Sequence, residues 1–403
     1  MTGLEVAFGR KVEQRTRLQA DLTHDRLESA VRNPQSDLTR AVYCILGIPV
    51  DAIDLATVIT RLQDAAANRR TLLLSTPNLN FLVNSLSDRE FRQSLLDSDL
   101  CPPDGAPLIW ISKLTGLPIK ERAAGSDILD ELRSRTNEKT KLSVFLFGGA
   151  TGVASAAADT LNRSSSAIRC VGTLDPGFGD VEKLSEEQII QEVNASRADF
   201  LIVALGAQKG QLWLQRNHDR LTIPIRAHLG AAINFQAGVI KRAPAVVRAW
   251  GFEWLWRIKE ETYLWKRYSN DGQVLLRLLL TRVLPLAILN SANRMRERCS
   301  RQNFSLRQIF KDDAIEIHLS GFASERHVAN VIPQLDRALD FNRDITLDFS
   351  NIRAIDARFL GLLMMFRKEL KIRRARLLFT GLTPAAKRIF RLNELYYMLA
   401  TEE

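Results

Sequence analysis

Apolar and polar positions alternate in blocks along residues 41–245 of the 403-residue chain. Longer amphipathic stretches, such as residues 81–96, follow short and largely apolar runs at residues 71–75, 142–147, 200–205 and 224–229. Strands that alternate with helices in this way are typical of a parallel sheet covered on both faces. The pattern therefore predicts an α/β domain built on a parallel sheet.

The pattern changes at residues 246–298. A short, Arg-rich helical stretch holds four of the six tryptophans, namely Trp250, Trp254, Trp256 and Trp265. Residues 274–289 are strongly apolar but carry two arginines and a proline, and a membrane-spanning helix needs about 20 apolar residues. We expect this run to be too short and too charged to span a membrane.

Tryptophan prefers the headgroup level of a membrane, and Lys and Arg attract anionic lipid. Residues 246–298 are therefore interpreted as a membrane-associating helical appendage. Two alternatives stay open at this point. The aromatic residues could simply pack between helices, or they could stack on the bases of a nucleic acid.

A smaller α/β pattern occupies residues 305–403. Its strands are expected at residues 314–319, 345–349 and 376–380, and its helices near residues 325–341, 357–371 and 383–392. Residues 1–40 form a polar N-terminal segment without an apolar stretch of signal-peptide length, and we expect part of it to be disordered.

Composition narrows the class of protein. A hydrophobic content of 46% and a charged content of 25% are typical of a folded soluble chain, and the length favours two domains. The net charge of +10 favours a polyanionic partner, which could be nucleic acid, an anionic membrane face or a phosphorylated substrate. The four scattered cysteines indicate a reducing compartment, and the five histidines show no metal-ligand spacing.

Two polar segments, residues 75–80 and 102–105, each follow an apolar stretch and each carry groups suited to chemistry. Parallel-sheet enzymes place their chemistry at the carboxyl ends of strands. Asp104 follows two prolines and precedes Gly105, so it is held in a rigid turn. It could be a general base, or it could be an ordinary Asp-Gly turn.

Two glycine loops, residues 148–152 and 206–210, lie between a strand and a helix, where backbone N–H groups can hold phosphate. They could equally be tight turns, since neither completes a dinucleotide fingerprint or a P-loop. Asp97-Ser98-Asp99 matches the D-x-D of metal-dependent sugar transferases. Because it lies at the end of a predicted helix, we interpret this match as accidental.

Several ordered motifs together resemble the WecG/TagA/CpsF family of bacterial glycosyltransferases over about residues 42–270. They are Thr76-Pro77-Asn78, Pro103-Asp104-Gly105-Ala106-Pro107, Glu121-Arg122-Ala123-Ala124-Gly125-Ser126-Asp127, Phe147-Gly148-Gly149, Leu205-Gly206-Ala207-Gln208-Lys209, Ala237-Gly238-Val239-Ile240-Lys241-Arg242-Ala243-Pro244 and Gly251-Phe252-Glu253-Trp254-Leu255-Trp256-Arg257. The resemblance implies a Rossmann-like, inverting glycosyltransferase at residues 41–245. It would move a hexose-type sugar from a UDP-sugar to a polyprenyl-pyrophosphate-linked saccharide, at the cytoplasmic face of the membrane, with no metal, cofactor or nucleic acid.

The resemblance also implies roles for single residues. Asp104 would be the general base, and Thr76 and Asn78 would hold acceptor or leaving-group oxygens. Apart from the resemblance, we expect Arg257 and Arg267 to hold the acceptor pyrophosphate, because a guanidinium can bind two phosphate oxygens at once. The full set expected to bind substrate is Gly105, Arg122, Ser126, Asp127, Gly148, Gly149, Gly206, Gln208, Lys209, Gln211, Arg257 and Arg267.

The chain departs from the family pattern in two places. After Gly206-Ala207 the family usually has Pro-Lys-Gln-Glu, whereas this chain has Gln208-Lys209-Gly210-Gln211, and the frequent Asp before Phe is Asn234. These changes affect the expected donor site. They also keep an alternative open, in which the chain is a non-catalytic regulatory or scaffold protein of the same pathway.

The C-terminal module resembles a STAS domain. The resemblance rests on Leu347-Asp348-Phe349-Ser350, Ile355-Asp356, Gly361-Leu362-Leu363 and Leu378-Phe379-Thr380-Gly381-Leu382. Typical members have a phosphorylatable Ser where this chain has Ala357, so a docking role without that switch is expected. The basic residues 367–374 are either a solvated helix end or a surface for an acidic protein partner. A cut near Ser305 is expected to leave transfer measurable.

Overall fold

The computed structural model describes residues 36–135, 141–164, 167–244, 247, 250–300, 304–311 and 314–399. The expected disorder of the N-terminal segment falls almost wholly on residues 1–35, which lie outside this set. The first described strands are an antiparallel hairpin, β1 (Val42–Ile45) and β2 (Ile48–Asp51).

A five-stranded parallel sheet forms the centre of the first domain, which confirms the predicted α/β class. Its strands are β3 (Leu72–Leu74), β4 (Leu142–Gly148), β5 (Ile168–Leu174), β6 (Phe200–Ala204) and β7 (Ile225–His228), in the order β3-β7-β6-β4-β5. The sequence pattern missed β5. This strand lies at the sheet edge and alternates buried with exposed residues, so it has no continuous apolar run.

Helices cover both faces of the sheet. They are α1 (Leu55–Ala67), α2 (Leu79–Ser87), α3 (Arg89–Leu96), α4 (Ala106–Thr115), α5 (Gly125–Ser134), α6 (Val153–Ser164), α7 (Glu187–Ala195), α8 (Ala207–Arg216) and α9 (Gly230–Gln236). The single helix predicted at residues 81–96 is in fact α2 and α3. Asp88 ends the first helix and caps the second, since its carboxylate accepts from the Phe91 N–H at 2.9 Å.

The appendage contains α10 (Glu253–Glu260), α11 (Trp265–Leu278), a π-helical turn (Leu279–Val283) and α12 (Leu284–Cys299). Thr262–Cys299 is one continuous helical stretch of 38 residues whose most apolar window has a mean hydropathy of 1.7. By length and composition alone it could cross a membrane, so the expectation that the apolar run is too short is wrong. Pro285 does not end the helix because it lies in the first turn of α12.

One side of this long helix packs on the first domain. Leu278, Val283 and Leu286 are buried and share a hydrophobic cluster with residues of the hairpin and of α4. Only 17% of the apolar window is buried, and the other side of the helix is exposed. The long helix therefore packs on the first domain along one side and exposes its other side.

The second domain is a four-stranded sheet against which helices pack. Its elements are β8 (Ser305–Phe310), β9 (Ala314–Ala323), α13 (Glu325–Leu339), β10 (Asp344–Ile355), α14 (Ala357–Ile372), β11 (Leu377–Thr380) and α15 (Pro384–Leu392). The order is β11-β10-β9-β8, and only the β8–β9 pair is antiparallel among these described strands. Edge strand β8 was not predicted, because it too is half exposed and lacks an apolar run.

The two domains share a hydrophobic core. Leu38, Val42, Cys44 and Leu96 of the first domain are buried in the same cluster as the helices and strands of the second. The hairpin lies so close to α14 that a Cβ added at Gly361 would be 2.1 Å from the Val42 carbonyl oxygen. The hairpin is thus a structural part of both domains.

Candidate functional site

A cleft of about 1550 Å³ opens at the carboxyl end of the parallel sheet. Its walls come from the segments that follow β3, β4, β6 and β7, and from α10 and α11 of the appendage. This is the edge at which parallel-sheet proteins bind ligands. Its size is larger than a typical drug-sized pocket, which suits a site for two substrates.

Asp104 lies on the cleft wall at the end of a segment that runs beside β3. Leu74 and Leu100 form a parallel bridge, and the Asp104 N–H donates to the Pro77 carbonyl at 2.8 Å. This bond holds Asp104 beside Thr76, the residue before Pro77. Local sequence and sheet pairing together bring the two predicted polar segments to one place.

The surroundings of Asp104 raise the pKa of its carboxyl group. Burial, and secondarily the neighbouring carboxylates of Glu253 and Asp127, raise the pKa of Asp104 to about 7, against the opposing effect of Arg122 and Arg257. A carboxyl group with a pKa close to the working pH is suited to accept a proton from a hydroxyl group.

Ion pairs line the wall near Asp104. Arg122 binds Glu253 at 2.6 Å, and Arg242 pairs with Asp127. On the appendage, the Arg257 Nε donates to Glu261 at 3.1 Å. The two arginines predicted to hold phosphate therefore differ in the groups that they contact. Arg257 binds a carboxylate, whereas the Arg267 guanidinium lies 5.1 Å from the centre of the Tyr268 ring.

Most of the predicted site residues lie on the cleft wall. These are Thr76, Asn78, Asp104, Gly105, Arg122, Ser126, Asp127, Gly149, Gly206, Lys209, Arg257 and Arg267. Asn78 also caps α2, since its side chain accepts from the Phe81 N–H at 3.1 Å. Their contact with substrate remains a prediction.

Three of the predicted residues do not line the cleft. Gly148 packs against β6, where an added Cβ would lie 2.8 Å from the Ala204 carbonyl oxygen. Gln208 is exposed and donates to Asp88 at 2.6 Å, and Gln211 is fully buried and donates to the Ser75 hydroxyl. Each of the three therefore has a partner away from the cleft, and their contact with substrate stays a prediction.

His228 is a cleft residue that the motifs did not identify. It ends β7, and its ring occupies the space beside Gly210, where an added Cβ would lie 2.2 Å from the His228 Cδ2. Burial lowers the pKa of His228 to about 4, so the ring is neutral at neutral pH. Its Nε2 is buried and has no hydrogen-bond partner within the described part of the chain. Its position at the carboxyl end of a predicted strand was the available signal.

The D-x-D match lies away from the cleft. Asp99 binds Lys368 at 2.9 Å and Asp97 binds Lys371 at 3.2 Å, both on α14 of the second domain. Two lysines of the basic run at residues 367–374 are thus bound within the chain. Within the described ranges, no group of three or more His, Cys, Asp or Glu residues could hold a metal ion.

Comparisons with known proteins match both domains of the chain. Residues 306–399 match the model described as Mlab, STAS domain. The chain is also similar to SpoIIAA, a Bacillus cell fate determinant solved in its phosphorylated form, with 20% identity over 25% of this chain and 93% of that one, at a TM-score of 0.21.

Curated relatives match the first domain. Three of them are named N-acetylglucosaminyldiphosphoundecaprenol N-acetyl-beta-D-mannosaminyltransferase. The Bacillus subtilis (strain 168) protein is 26% identical over 51% of this chain and 78% of its own length. The Bacillus spizizenii protein is 24% identical over 49% of this chain and 73% of its own length. The Staphylococcus aureus (strain MW2) protein is 22% identical over 56% of this chain and 86% of its own length. Residues 43–287 match the model of the glycosyl transferase WecG/TagA/CpsF family, which is more than half of the chain, and the chain therefore belongs to that family.

Proposed function

We propose that this protein transfers a sugar from a UDP-sugar to a saccharide linked to polyprenyl pyrophosphate, with Asp104 as the general base. The observation that carries the proposal is the part-buried Asp104 on the wall of a two-substrate cleft, with a pKa raised to about 7. The names of the relatives support this substrate class, because they describe transfer of an N-acetylated amino sugar to a diphosphoundecaprenol-linked acceptor.

The proposed reaction is a single inverting displacement. Asp104 takes the proton of the acceptor hydroxyl, the freed oxygen forms a bond to the anomeric carbon, and the bond from that carbon to the UDP oxygen breaks. The leaving UDP gains negative charge. The N-terminus of α8, which follows Gly206 on the cleft wall, can stabilise that charge through backbone N–H groups.

The appendage is proposed to hold the cleft at the inner face of the cytoplasmic membrane. Trp250, Tyr263 and Trp265 are exposed next to cleft residues, and Leu276, Leu280, Leu284 and Ile288 are exposed along the long helix. Aromatic side chains at the headgroup level and an apolar stripe below them are typical of a helix lying in a membrane interface.

The packed side of the long helix favours a peripheral position over a membrane-spanning one. Asn80 donates to Asp271 at 3.1 Å, and Asn290 donates to the Thr115 carbonyl at 3.3 Å. A helix that crossed the bilayer would have to give up these contacts and the buried Leu278 and Val283.

A panel assay tests the proposal. Purified full-length protein is incubated with several UDP-sugars and a polyprenyl-pyrophosphate saccharide, and UDP release and lipid-linked product are both measured. We expect acceptor-dependent UDP release with at least one donor. If UDP binds but no donor is consumed, the transferase proposal is wrong and the regulatory or scaffold alternative, which the Gly210 and Gln211 departures favour, replaces it.

A further inference from the structure

Five charged side chains lie together at the junction of the two domains: Asp37, Arg40, Asp51, Asp99 and Lys368. Lys368 binds Asp37 at 2.7 Å and Asp99 at 2.9 Å, and Arg40 binds Asp37 at 2.8 Å and Asp51 at 2.7 Å. The Lys368 side chain is only 6% exposed. We call this set the buried charge network. Its members depend on one another, since a buried charge that loses its partner is strongly unfavourable.

The buried charge network reaches the segment that carries Asp104. The Asp51 carboxylate accepts from the Cys101 N–H at 2.6 Å, and the Asp51 N–H donates to the Cys101 carbonyl at 2.9 Å. The Asp99 carboxylate accepts from the Leu73 N–H of β3 at 2.9 Å. Cys101 is separated from Asp104 by two prolines, whose fixed φ angles transmit a displacement instead of absorbing it.

We propose that Lys368, supplied by the STAS-like domain, is a positioning residue of the transferase. It holds the buried charge network in place, the network holds Cys101, and Cys101 fixes the position of Asp104 in the cleft. The catalytic consequence rests on the proposed function, whereas the effect on the backbone at residues 101–104 does not. The STAS-like domain is then part of the catalytic unit as well as a docking module.

Lys371 supplies a matched control on the same helix. It makes an ion pair with Asp97 at 3.2 Å across the same domain junction, but its side chain is 58% exposed. Lys368→Met and Lys371→Met therefore remove the same charge from the same helix. Only the first removes it from the buried charge network.

Hydrogen exchange and kinetics on the full-length variants test the proposal. In Lys368→Met we expect the amides of Cys101 and Asp104 to exchange at least about tenfold faster than in the wild type. We also expect kcat to fall about ten- to a hundredfold while the Kd for UDP changes by less than about twofold, because small misplacements of a reacting group lower the rate of chemistry. Lys371→Met should match the wild type in all three measurements, and Lys368→Arg should recover most of kcat.

Two results would overturn the proposal. One is a folded Lys368→Met protein with wild-type exchange at the amides of Cys101 and Asp104, and the other is a loss of kcat that only parallels loss of UDP binding. If Lys368→Met does not fold, Asp99→Asn takes its place, because its amide oxygen can still accept from Leu73 while the ionic contact with Lys368 is lost. Faster exchange at Cys101 is expected there too. Hydrogen exchange is measured without substrates and does not depend on sugar transfer. A wild-type protein that transfers no sugar would therefore contradict the proposed function, but the exchange measurement would still test the role of Lys368.

Discussion

The charge of Asp104 is set first by burial and then by a few neighbouring side chains. Burial raises the pKa of Asp104 most, the carboxylates of Glu253 and Asp127 raise it further, and Arg122, which pairs with Glu253, lowers it. The site therefore holds a carboxyl group that is only partly ionised near neutral pH. Such a group accepts a proton readily and still releases it after each turnover.

The Asp104→Asn variant should fold normally and lose about 10²–10⁴-fold in kcat, since the amide cannot accept the proton of the acceptor hydroxyl. Circular dichroism checks the fold, and release of UDP with the lipid-linked acceptor measures the rate. The variant Asp88→Asn, at a helix cap outside the cleft wall, is the control and should keep its activity. Near-wild-type turnover by Asp104→Asn would exclude this residue from the mechanism.

The pH dependence of the reaction should follow Asp104. Activity should rise with pH as Asp104 ionises, with an apparent pKa of about 7 in kcat/KM. Glu253→Gln removes a repulsive charge and leaves Arg122 with only its 3.9 Å pair to Asp127, and both effects favour the ionised carboxyl group. The rising limb should therefore move to lower pH. A limb that stays in place or moves upward would contradict the assignment.

The long helix Thr262–Cys299 combines a packed side with an apolar exposed stripe. Leu276, Leu280, Leu284 and Ile288 are exposed at intervals of four residues. In a regular helix of 3.6 residues per turn such a row drifts around the axis. The π-helical turn at Leu279–Val283 has more residues per turn than an α-helix, which reduces that drift. The exposed apolar side chains therefore stay on one side of the helix.

Replacing Leu276, Leu280 and Ile288 together by Glu should release the protein from anionic vesicles and leave its fold unchanged, because the three side chains are exposed. Co-sedimentation with vesicles measures binding. Phe310→Glu, at an exposed position on β8 of the second domain, is the control and should sediment like the wild type. Unchanged sedimentation of the triple variant would place the membrane contact elsewhere. Deletion of residues 246–298 is a poorer test, since it would also remove the buried Leu278, Val283 and Leu286.

At the scale of the whole molecule, two hydrophobic clusters join residues of both domains. Cys44 and Leu96 are buried among the helices of the second domain, and Ala357 is buried in a cluster with residues of the hairpin. The position at which typical STAS domains are phosphorylated is therefore covered by the first domain. A serine introduced there would not be exposed to a kinase.

A fragment ending at residue 304 should be insoluble or unfold at a much lower temperature than the full chain. The cut exposes the apolar residues of the shared core and leaves Asp37 without Lys368. Solubility and a thermal melt measure this, and adding residues 305–403 in trans should restore part of the stability. A soluble fragment that melts like the full chain would show that the domains are independent, which is the original expectation from the sequence.

The sequence alone determined the α/β class and the two-domain order, and most of the site residues that it predicted lie on the cleft wall. These features depend on local patterns, such as apolar runs followed by glycine or by the Pro-Pro-Asp-Gly turn, and neighbouring residues decide them. The edge strands β5 and β8 escaped prediction because half-exposed strands lack a continuous apolar run.

Only the tertiary structure decided which charges meet. Lys368 lies 331 positions after Asp37, and no local pattern distinguishes it from Lys371, which stays largely exposed on the same helix. The fit of the His228 ring beside Gly210 and the pairing of Arg122 with Glu253 likewise join distant segments. Burial and pairing of charges depend on how whole elements pack, so the sequence could propose Asp104 but could not show what holds it in place.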